Sequence, residues 1–474
     1  VVDNGPSSPS DSAAGDSGAR FDLIVLGGGS GGYAAAFRAS ELGMRVALVE
    51  KDKVGGTCLH YGCIPTKALL HAAEVADSAR DSAQLGVKAT FEGIDVDGVN
   101  KYKDGVVSRL YKGLQGLVKA NEVTLIEGEG RLVGPNTVEV DGARYEGRNV
   151  VLATGSRSSS LPGLDIDGEK VLSSYEALAL DRVPSSVVVL GGGVIGVEFA
   201  SVWRSFGADV TIVEALPRLV PAEDEAASKV VERTFRKRGI TAKTGARFSG
   251  VQHTDDGVSV SLENGETVDA EILLVAVGRG PVTDGLGLED AGVAVDRGFV
   301  TTDERLRTSV PGVYAVGDVV HGLQLAHRGF AHGIFVAEDI AGLNPVPIDD
   351  AGIPRVTYCD PEVASVGLTE AQAVERLGDD KVETFEYNLA GNGKSQILKT
   401  QGFAKLVREK DGPVLGVHLV GARVGELISE AQLIYNWEAL PHEVASLIHP
   451  HPTQSEALGE AHLALAGKPL HVHG

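Results

Sequence analysis

Along this chain, short apolar runs alternate with longer segments in which apolar residues return every three or four positions. Phe21-Asp22-Leu23-Ile24-Val25-Leu26 is almost continuously apolar, the pattern of a strand covered on both faces, and a helical stretch from Tyr33 to Leu42 follows, ended by Gly43. Val46-Ala47-Leu48-Val49 predicts the next strand. The same order returns 164 residues later, as Val187-Val188-Val189-Leu190, a helix closed by Gly207, and Val210-Thr211-Ile212-Val213. This alternation runs to about residue 345, broken by acidic hairpin-like material at 255–271, and predicts an α/β fold with parallel sheets. From about residue 349 the pattern changes to β-rich segments and amphipathic helices. Residues 1–20, rich in Ser, Gly, Ala, Asp and Pro, carry no apolar periodicity and are expected to be a disordered tail.

The turns between strand and helix carry chemistry. The first holds Gly27-x-Gly29-x-x-Gly32 and the second Gly191-x-Gly193-x-x-Gly196, and the strands that follow deliver Glu50 and Glu214. In both copies the first glycine precedes the helix-ending glycine by 16 residues and the acid by 23. Glycines permit the tight turn and a close approach of backbone to pyrophosphate, the helix N-terminus faces the phosphates, and the acid binds ribose hydroxyls. A lone motif of this kind is weak, but two with matched anchors predict two dinucleotide sites. Glu214 favours NAD, because a carboxylate there repels a 2′-phosphate; Arg218, four residues on, is the one nearby feature that pulls the other way.

Composition narrows the partners. The chain has 474 residues, enough for about three domains, and its 43 basic against 65 acidic residues give a net charge of −22. That balance disfavours nucleic acid and anionic membrane surfaces. No run approaches the roughly 20 apolar residues of a membrane span, and three cysteines are too few for a secreted disulfide framework, so the expected compartment is the cytoplasm.

Two of those cysteines lie five apart in Gly55-Gly56-Thr57-Cys58-Leu59-His60-Tyr61-Gly62-Cys63-Ile64-Pro65-Thr66-Lys67. A continuous helix would separate such residues by about 7.5 Å along its axis, too far for a disulfide, so the segment must be distorted if the two are paired. Pro65 suits the first turn of a helix starting behind Cys63, whose positive end would favour a Cys63 thiolate. The residues leave two readings: a redox-active disulfide beside a nucleotide site, or two inert buried thiols. Near the C-terminus, His449-Pro450-His451-Pro452-Thr453-Gln454-Ser455-Glu456 brings two histidines close together, but no third ligand stands at useful spacing, and no metal is expected.

The cysteine segment, both glycine motifs, Val151-Leu152-Ala153-Thr154-Gly155, Thr308-x-x-Pro311-x-x-Tyr314-Ala315-x-x-Gly317-Asp318 and the histidine run together resemble the flavin disulfide reductases, the class I pyridine nucleotide-disulfide oxidoreductases. The likeness extends from Phe21 to the C-terminus and is closest to the branch that oxidises dihydrolipoamide. It implies two Rossmann-like dinucleotide-binding domains, for FAD and NAD, and an α+β C-terminal dimerisation domain. The implied boundaries are 21–155 for the first part of the FAD domain, 156–278 for the NAD domain, 279–348 for the second part of the FAD domain, and 349–474 for dimerisation.

By the same resemblance Cys58 and Cys63 form the redox disulfide, with Cys58 exchanging with substrate and Cys63 facing the flavin. His451 is the base that deprotonates a thiol, and Glu456 orients it. FAD falls to Gly27, Gly29, Gly32, Glu50, Thr57, Lys67, Gly130, Asp318 and Gln324, Leu325, Ala326 and His327; NAD falls to Gly191, Gly193, Gly196, Glu198, Glu214 and Gly278. The implied partners are a second copy of the chain, since the base serves the other subunit's disulfide, and the lipoyl domains and acyltransferase core of 2-oxoacid dehydrogenase complexes. Rival activities in the family fit less well. Glutathione-type reductases prefer basic residues near position 214, mercuric reductases carry a further C-terminal cysteine pair, and soluble transhydrogenases lack the disulfide. A protein that mainly docks on an assembly would have no use for the full set Cys58, Cys63, His451 and Glu456.

Overall fold

The computed structural model describes residues 20–472. The tail expected at 1–20 lies outside the described residues, apart from Arg20, which opens the first strand. The chain forms two compact units, each assembled from separate stretches: residues 20–56, 114–155 and 281–347 in one, and 57–113, 156–280 and 348–472 in the other.

The first unit is built on a seven-stranded sheet. Arg20–Leu26 lies at its centre, parallel to Val46–Glu50 on one side and to Ala143–Leu152 on the other, with Thr124–Glu127 beyond Val46–Glu50. Val313–Ala315, supplied by the late part of the chain, adds in parallel to Ala143–Leu152. Gly130–Gly134 and Thr137–Val140 form a hairpin and continue the sheet antiparallel. Leu23, Ile24, Val25 and Leu48 are fully buried, as a strand with both faces covered requires. The helices Ser30–Glu41 and Ala326–Ile340 pack closely because glycines meet at their contact: a Cβ on Gly333 would lie 2.3 Å from the Gly31 carbonyl oxygen, and one on Gly329 would lie 2.7 Å from Ser30 Oγ.

The second unit repeats the pattern in a five-stranded parallel sheet, ordered Ile240–Thr244, Asp209–Glu214, Ser186–Leu190, Ile272–Val275 and Val171–Leu172. The expected hairpin at 255–271 is present as Val258–Leu262 and Thr267–Ala270, paired in a three-stranded sheet with Phe248–His253. The C-terminal part is a five-stranded antiparallel sheet, Arg355–Thr357, Glu362–Gly367, Val414–Gly421, Phe403–Glu409 and Val382–Asn388 in that order. The helices Val424–Asn436 and Glu456–Leu465 share its core through Ile428, Ala431, Leu458 and Ala461. A separate core joins Leu69 of the cysteine helix, Phe199 and Trp203 of the second glycine-motif helix, and Val363 and Phe403 of the C-terminal sheet. Among the described residues no helix is long and apolar enough to cross a membrane.

Candidate functional site

Both glycine turns close in the same way. Gly27 and Gly191 sit at φ +103° and +111°, conformations that L side chains rarely adopt. A Cβ on Gly32 would lie 1.8 Å from the Gly27 carbonyl oxygen, and one on Gly196 would lie 1.9 Å from that of Gly191, so helix and strand can approach only without it. The middle glycines differ: a Cβ on Gly29 or Gly193 would meet no protein atom within 4 Å. Each is the N-cap of its helix, with no side-chain cap, leaving the first-turn amides to an anion.

The terminal acids are held alike. Glu50 accepts from the Gly28 amide at 2.6 Å and the Asp52 amide at 2.8 Å; Glu214 accepts from Gly192 at 2.6 Å and Leu216 at 2.7 Å. Each carboxylate is therefore fixed in place by two backbone amides. Arg218 is turned away from this pocket's acid, donating through Nη2 to the carbonyls of Pro221 at 2.8 Å and Glu223 at 3.1 Å. The basic residue that weakened the case for NAD is thus engaged elsewhere.

In the first unit Asp318 lies in the short turn Gly317–Val319, and Leu325 caps the helix that starts at Ala326, with His327 exposed beside it. Gln324 Nε2 is buried without a hydrogen-bond partner, as suits a group awaiting a polar ligand atom, and with the open Gly29 turn it makes these residues fit a dinucleotide. Gly130 serves packing, since a Cβ there would lie 2.6 Å from Leu26 Cδ1 and 2.9 Å from Val49 Cγ1. Gly278, at φ +124°, has open space where a Cβ would stand, and its carbonyl accepts from the Ser159 amide at 3.0 Å.

The expected distortion between the cysteines is a break between two helices. Gly56–Tyr61 ends, Gly62 takes φ −147° and ψ −109°, and Cys63–Asp81 begins with Cys63 as its first residue. Thr57 is exposed on the short helix, and a Cβ on Gly62 would crowd the Thr57 carbonyl oxygen at 3.1 Å. Both cysteines are free thiols in this structure, mostly buried, and their side chains are hydrogen-bonded to each other. The hydrogen bond from Cys58 lowers Cys63 to about 7 against the opposing effect of burial, with Lys67 helping; the same hydrogen bond, together with burial, pushes Cys58 up. Of the two, Cys63 is the more acidic thiol.

Lys67, one helical turn beyond Cys63, donates to both carboxylate oxygens of Glu198 at 2.9 Å. Burial works to discharge it, but Glu198 prevails and holds its pKa above the ordinary value. Glu198 also accepts from the Tyr358 amide at 2.9 Å, and Lys67 Nζ lies 4.7 Å from the centre of the Tyr358 ring. The start of the C-terminal sheet thereby completes the environment of the cysteines. Reading by residue identity does not single out Tyr358, because a backbone donor leaves no trace in it. It also passed over the aromatic groups beside the cysteines, where His60 packs edge-on to Tyr111 at 4.9 Å and Tyr61 meets Tyr175 at 4.8 Å.

His451 and Glu456 are brought together as expected, Nδ1 to Oε1 at 2.8 Å. Glu456 Oε2 accepts from the Thr453 amide at 2.8 Å, and Asn392 donates to the Thr453 carbonyl at 2.9 Å, so the loop is pinned at Thr453. The other ring nitrogen, Nε2, is left on a side chain that is 77% exposed. His449 is instead largely buried on Glu430 at 2.7 Å, which raises its pKa. His471 was indistinguishable from a surface histidine in sequence, yet it binds buried Glu460 at 2.6 Å; His473 lies outside the described residues. Among the described residues no cluster of three or more His, Cys, Asp or Glu could hold a metal.

Known proteins resemble the chain over nearly its whole length. Residues 21–333 match the pyridine nucleotide-disulphide oxidoreductase family, and residues 353–462 match its dimerisation domain. The chain is 42% identical over 471 residues to a dihydrolipoyl dehydrogenase of Bacillus subtilis, covering 95% of this chain and 99% of that one. It is 40% identical over 465 residues to the mitochondrial dihydrolipoyl dehydrogenase of Pisum sativum, covering 95% and 92%. Among solved structures, LpdA from Mycobacterium tuberculosis superposes with a TM-score of 0.87 at 27% identity, over 94% of this chain and 99% of that one.

Proposed function

This chain belongs to the pyridine nucleotide-disulphide oxidoreductase family, and from that premise we propose that it works as a dihydrolipoyl dehydrogenase, oxidising protein-bound dihydrolipoamide to lipoamide and reducing NAD. The observation that carries the reading is the cysteine pair: a low-pKa Cys63 at a helix N-terminus, fed by the Cys58 thiol and backed by Lys67 and Glu198.

The cycle starts with Cys58 and Cys63 joined as a disulfide. His451 Nε2 takes a proton from one thiol of dihydrolipoamide, and Glu456 stabilises the resulting imidazolium through Nδ1. The substrate thiolate attacks Cys58 Sγ, the Cys58–Cys63 bond breaks, and Cys63 leaves as a thiolate stabilised by its helix and Lys67. The second substrate thiol then displaces Cys58, its proton passing to the departing Cys58 sulfur, which closes cyclic lipoamide and leaves two electrons in the cysteine pair. Bound FAD would supply the two-electron acceptor for the pair, and NAD the final hydride acceptor. Gly27, Gly29, Gly32, Glu50, Asp318 and Gln324–His327 hold the flavin nucleotide, and Gly191, Gly193, Gly196, Glu214 and Gly278 hold NAD. The active unit is a homodimer in which His451 of each chain serves the cysteines of the other. Its partners are the lipoyl domains and acyltransferase core of a 2-oxoacid dehydrogenase complex.

The test is turnover of dihydrolipoamide with NAD beside glutathione disulfide with NADPH. The first pair should react by far the faster; a preference for the second would refute the assignment.

A further inference from the structure

Behind Glu214 the chain runs through residues 215–224 before the helix Glu225–Arg238. This loop is packed on the second glycine turn itself. The Val220 amide donates to the Gly192 carbonyl at 2.8 Å, the Leu216 amide donates to Glu214, and a Cβ on Gly192 would lie 2.5 Å from the buried Leu219 side chain. Any shift of the loop is therefore felt by both the glycine turn and the acid that together frame the adenosine ribose.

The far end of the loop is gripped by the C-terminal sheet. Ser365 Oγ donates to Glu223 Oε2 at 2.5 Å, and Arg355 Nε lies 3.8 Å from Glu223 Oε1. Lys405 Nζ donates to Asp224 Oδ1 at 2.8 Å and to Glu370 Oε2 at 2.6 Å, and the Glu370 amide donates to Asp224 Oδ2 at 3.1 Å. Asp224 meanwhile caps the following helix through the Ala226 amide. All but Glu370, whose side chain is half exposed, are well covered: Asp224 is 2% exposed, Glu223 5%, Lys405 7% and Ser365 fully covered.

Buried ion pairs are a poor way to glue two sheets together, since apolar residues of the same volume do as well or better. Here three carboxylates face two cations, and Arg355 Nη2 and His418 Nδ1 are buried nearby with no hydrogen-bond partner. What such a cluster supplies is a fixed geometry. We propose that Lys405 and Ser365 are positioning residues for the second dinucleotide: through Glu223 and Asp224 they hold loop 215–224 against Gly192 and Glu214, so that the C-terminal sheet sets the affinity for NAD. The inference rests on the reading of the second cradle as the NAD site.

The test uses the flavin-loaded, full-length dimer with Lys405→Met and Ser365→Ala. Three quantities are measured: NADH binding, the KM for NAD against kcat, and the rate at which dihydrolipoamide reduces the bound flavin. The expected result is a dissociation constant and KM raised about three- to tenfold, less than the roughly ten- to hundredfold of losing a charged hydrogen bond outright because the effect reaches the nucleotide only through the loop, with flavin content and the dithiol half-reaction unchanged. Unchanged NADH affinity would overturn the proposal, and so would a loss of flavin, dithiol reduction and NADH binding together, which is what simple structural glue predicts. If Lys405→Met does not fold, because Asp224 and Glu370 are left without their cation, Ser365→Ala decides alone. Titrating NADPH in parallel separates the two readings: a wild-type preference for NADPH sinks the NAD assignment, while the clasp is still judged by what the variants do to whichever dinucleotide binds.

Discussion

At the scale of single residues, the cysteine pair makes a prediction with a definite sign. Cys63 ionises near 7 first of all because the Cys58 thiol donates to it, so Cys58→Ala must raise the Cys63 pKa. A hydrogen bond to a charged acceptor is worth ~1.5–3 kcal/mol, which at about 1.36 kcal/mol per pH unit moves the midpoint up by roughly one to two units. The pH profile of iodoacetamide alkylation at Cys63, read by mass spectrometry, checks this; a midpoint that stays or falls removes Cys58 as the donor. The glycines give a second contrast. Gly29→Ala meets no protein atom within 4 Å and should fold with a normal Tm but lose flavin, whereas Gly32→Ala drives a Cβ to 1.8 Å from a carbonyl oxygen and should fail to fold. Full flavin occupancy in Gly29→Ala would mean that the turn does not hold the pyrophosphate. Residues whose chemistry resides in their own side chains, such as Cys63, His451 and Glu456, were legible in the sequence. Those that act through a backbone amide, such as Tyr358 on Glu198, or through an unexpected partner, such as His471 on Glu460, were not.

At the scale of elements, the repeated strand-turn-helix-strand unit was fully legible, because the spacings of 16 and 23 residues are fixed by helix length and strand register rather than by any tertiary contact. The helix ends moved slightly: the first begins at Ser30, where the apolar pattern suggested Tyr33, since Gly31 and Gly32 have no side chain to contribute to a period. What the pattern could not reveal is that both acids are clamped by two amides. That clamp bears on Glu214→Gln. The variant puts an NH₂ opposite an N–H and removes the charge, so kcat/KM for NADH should fall about ten- to a hundredfold while NADPH loses less and the preference narrows. Parallel rates with the two nucleotides in the lipoamide-reducing direction test it; an unchanged ratio would take Glu214 out of the specificity determinants.

At the scale of the whole molecule, the base and the cysteines lie almost 400 positions apart in sequence, and the residues that match a dimerisation domain carry the base. Mixing the inactive variants Cys58→Ser and His451→Gln under subunit exchange should restore activity, up to about one intact site per heterodimer. Heterodimers that form yet stay inactive would place the base in its own chain's site. The C-terminal part was foreseen as β-rich with amphipathic helices after residue 349, but not its grip on the rest, because the contacts that matter, from Lys405 and Ser365 to Asp224 and Glu223, join residues more than 140 apart. The same long-range assembly governs how the protein comes into being. The first unit's central sheet receives Val313–Ala315 beside Ala143–Leu152, and its first helix is covered by Ala326–Ile340. While the chain is being synthesised, the opening strand and its glycine turn must therefore wait through nearly 300 further residues before their last neighbours emerge from the ribosome. Flavin capture is then a late event in the life of a nascent chain, and a chain cut short before residue 340 leaves the first helix uncovered, a natural mark for quality-control proteases.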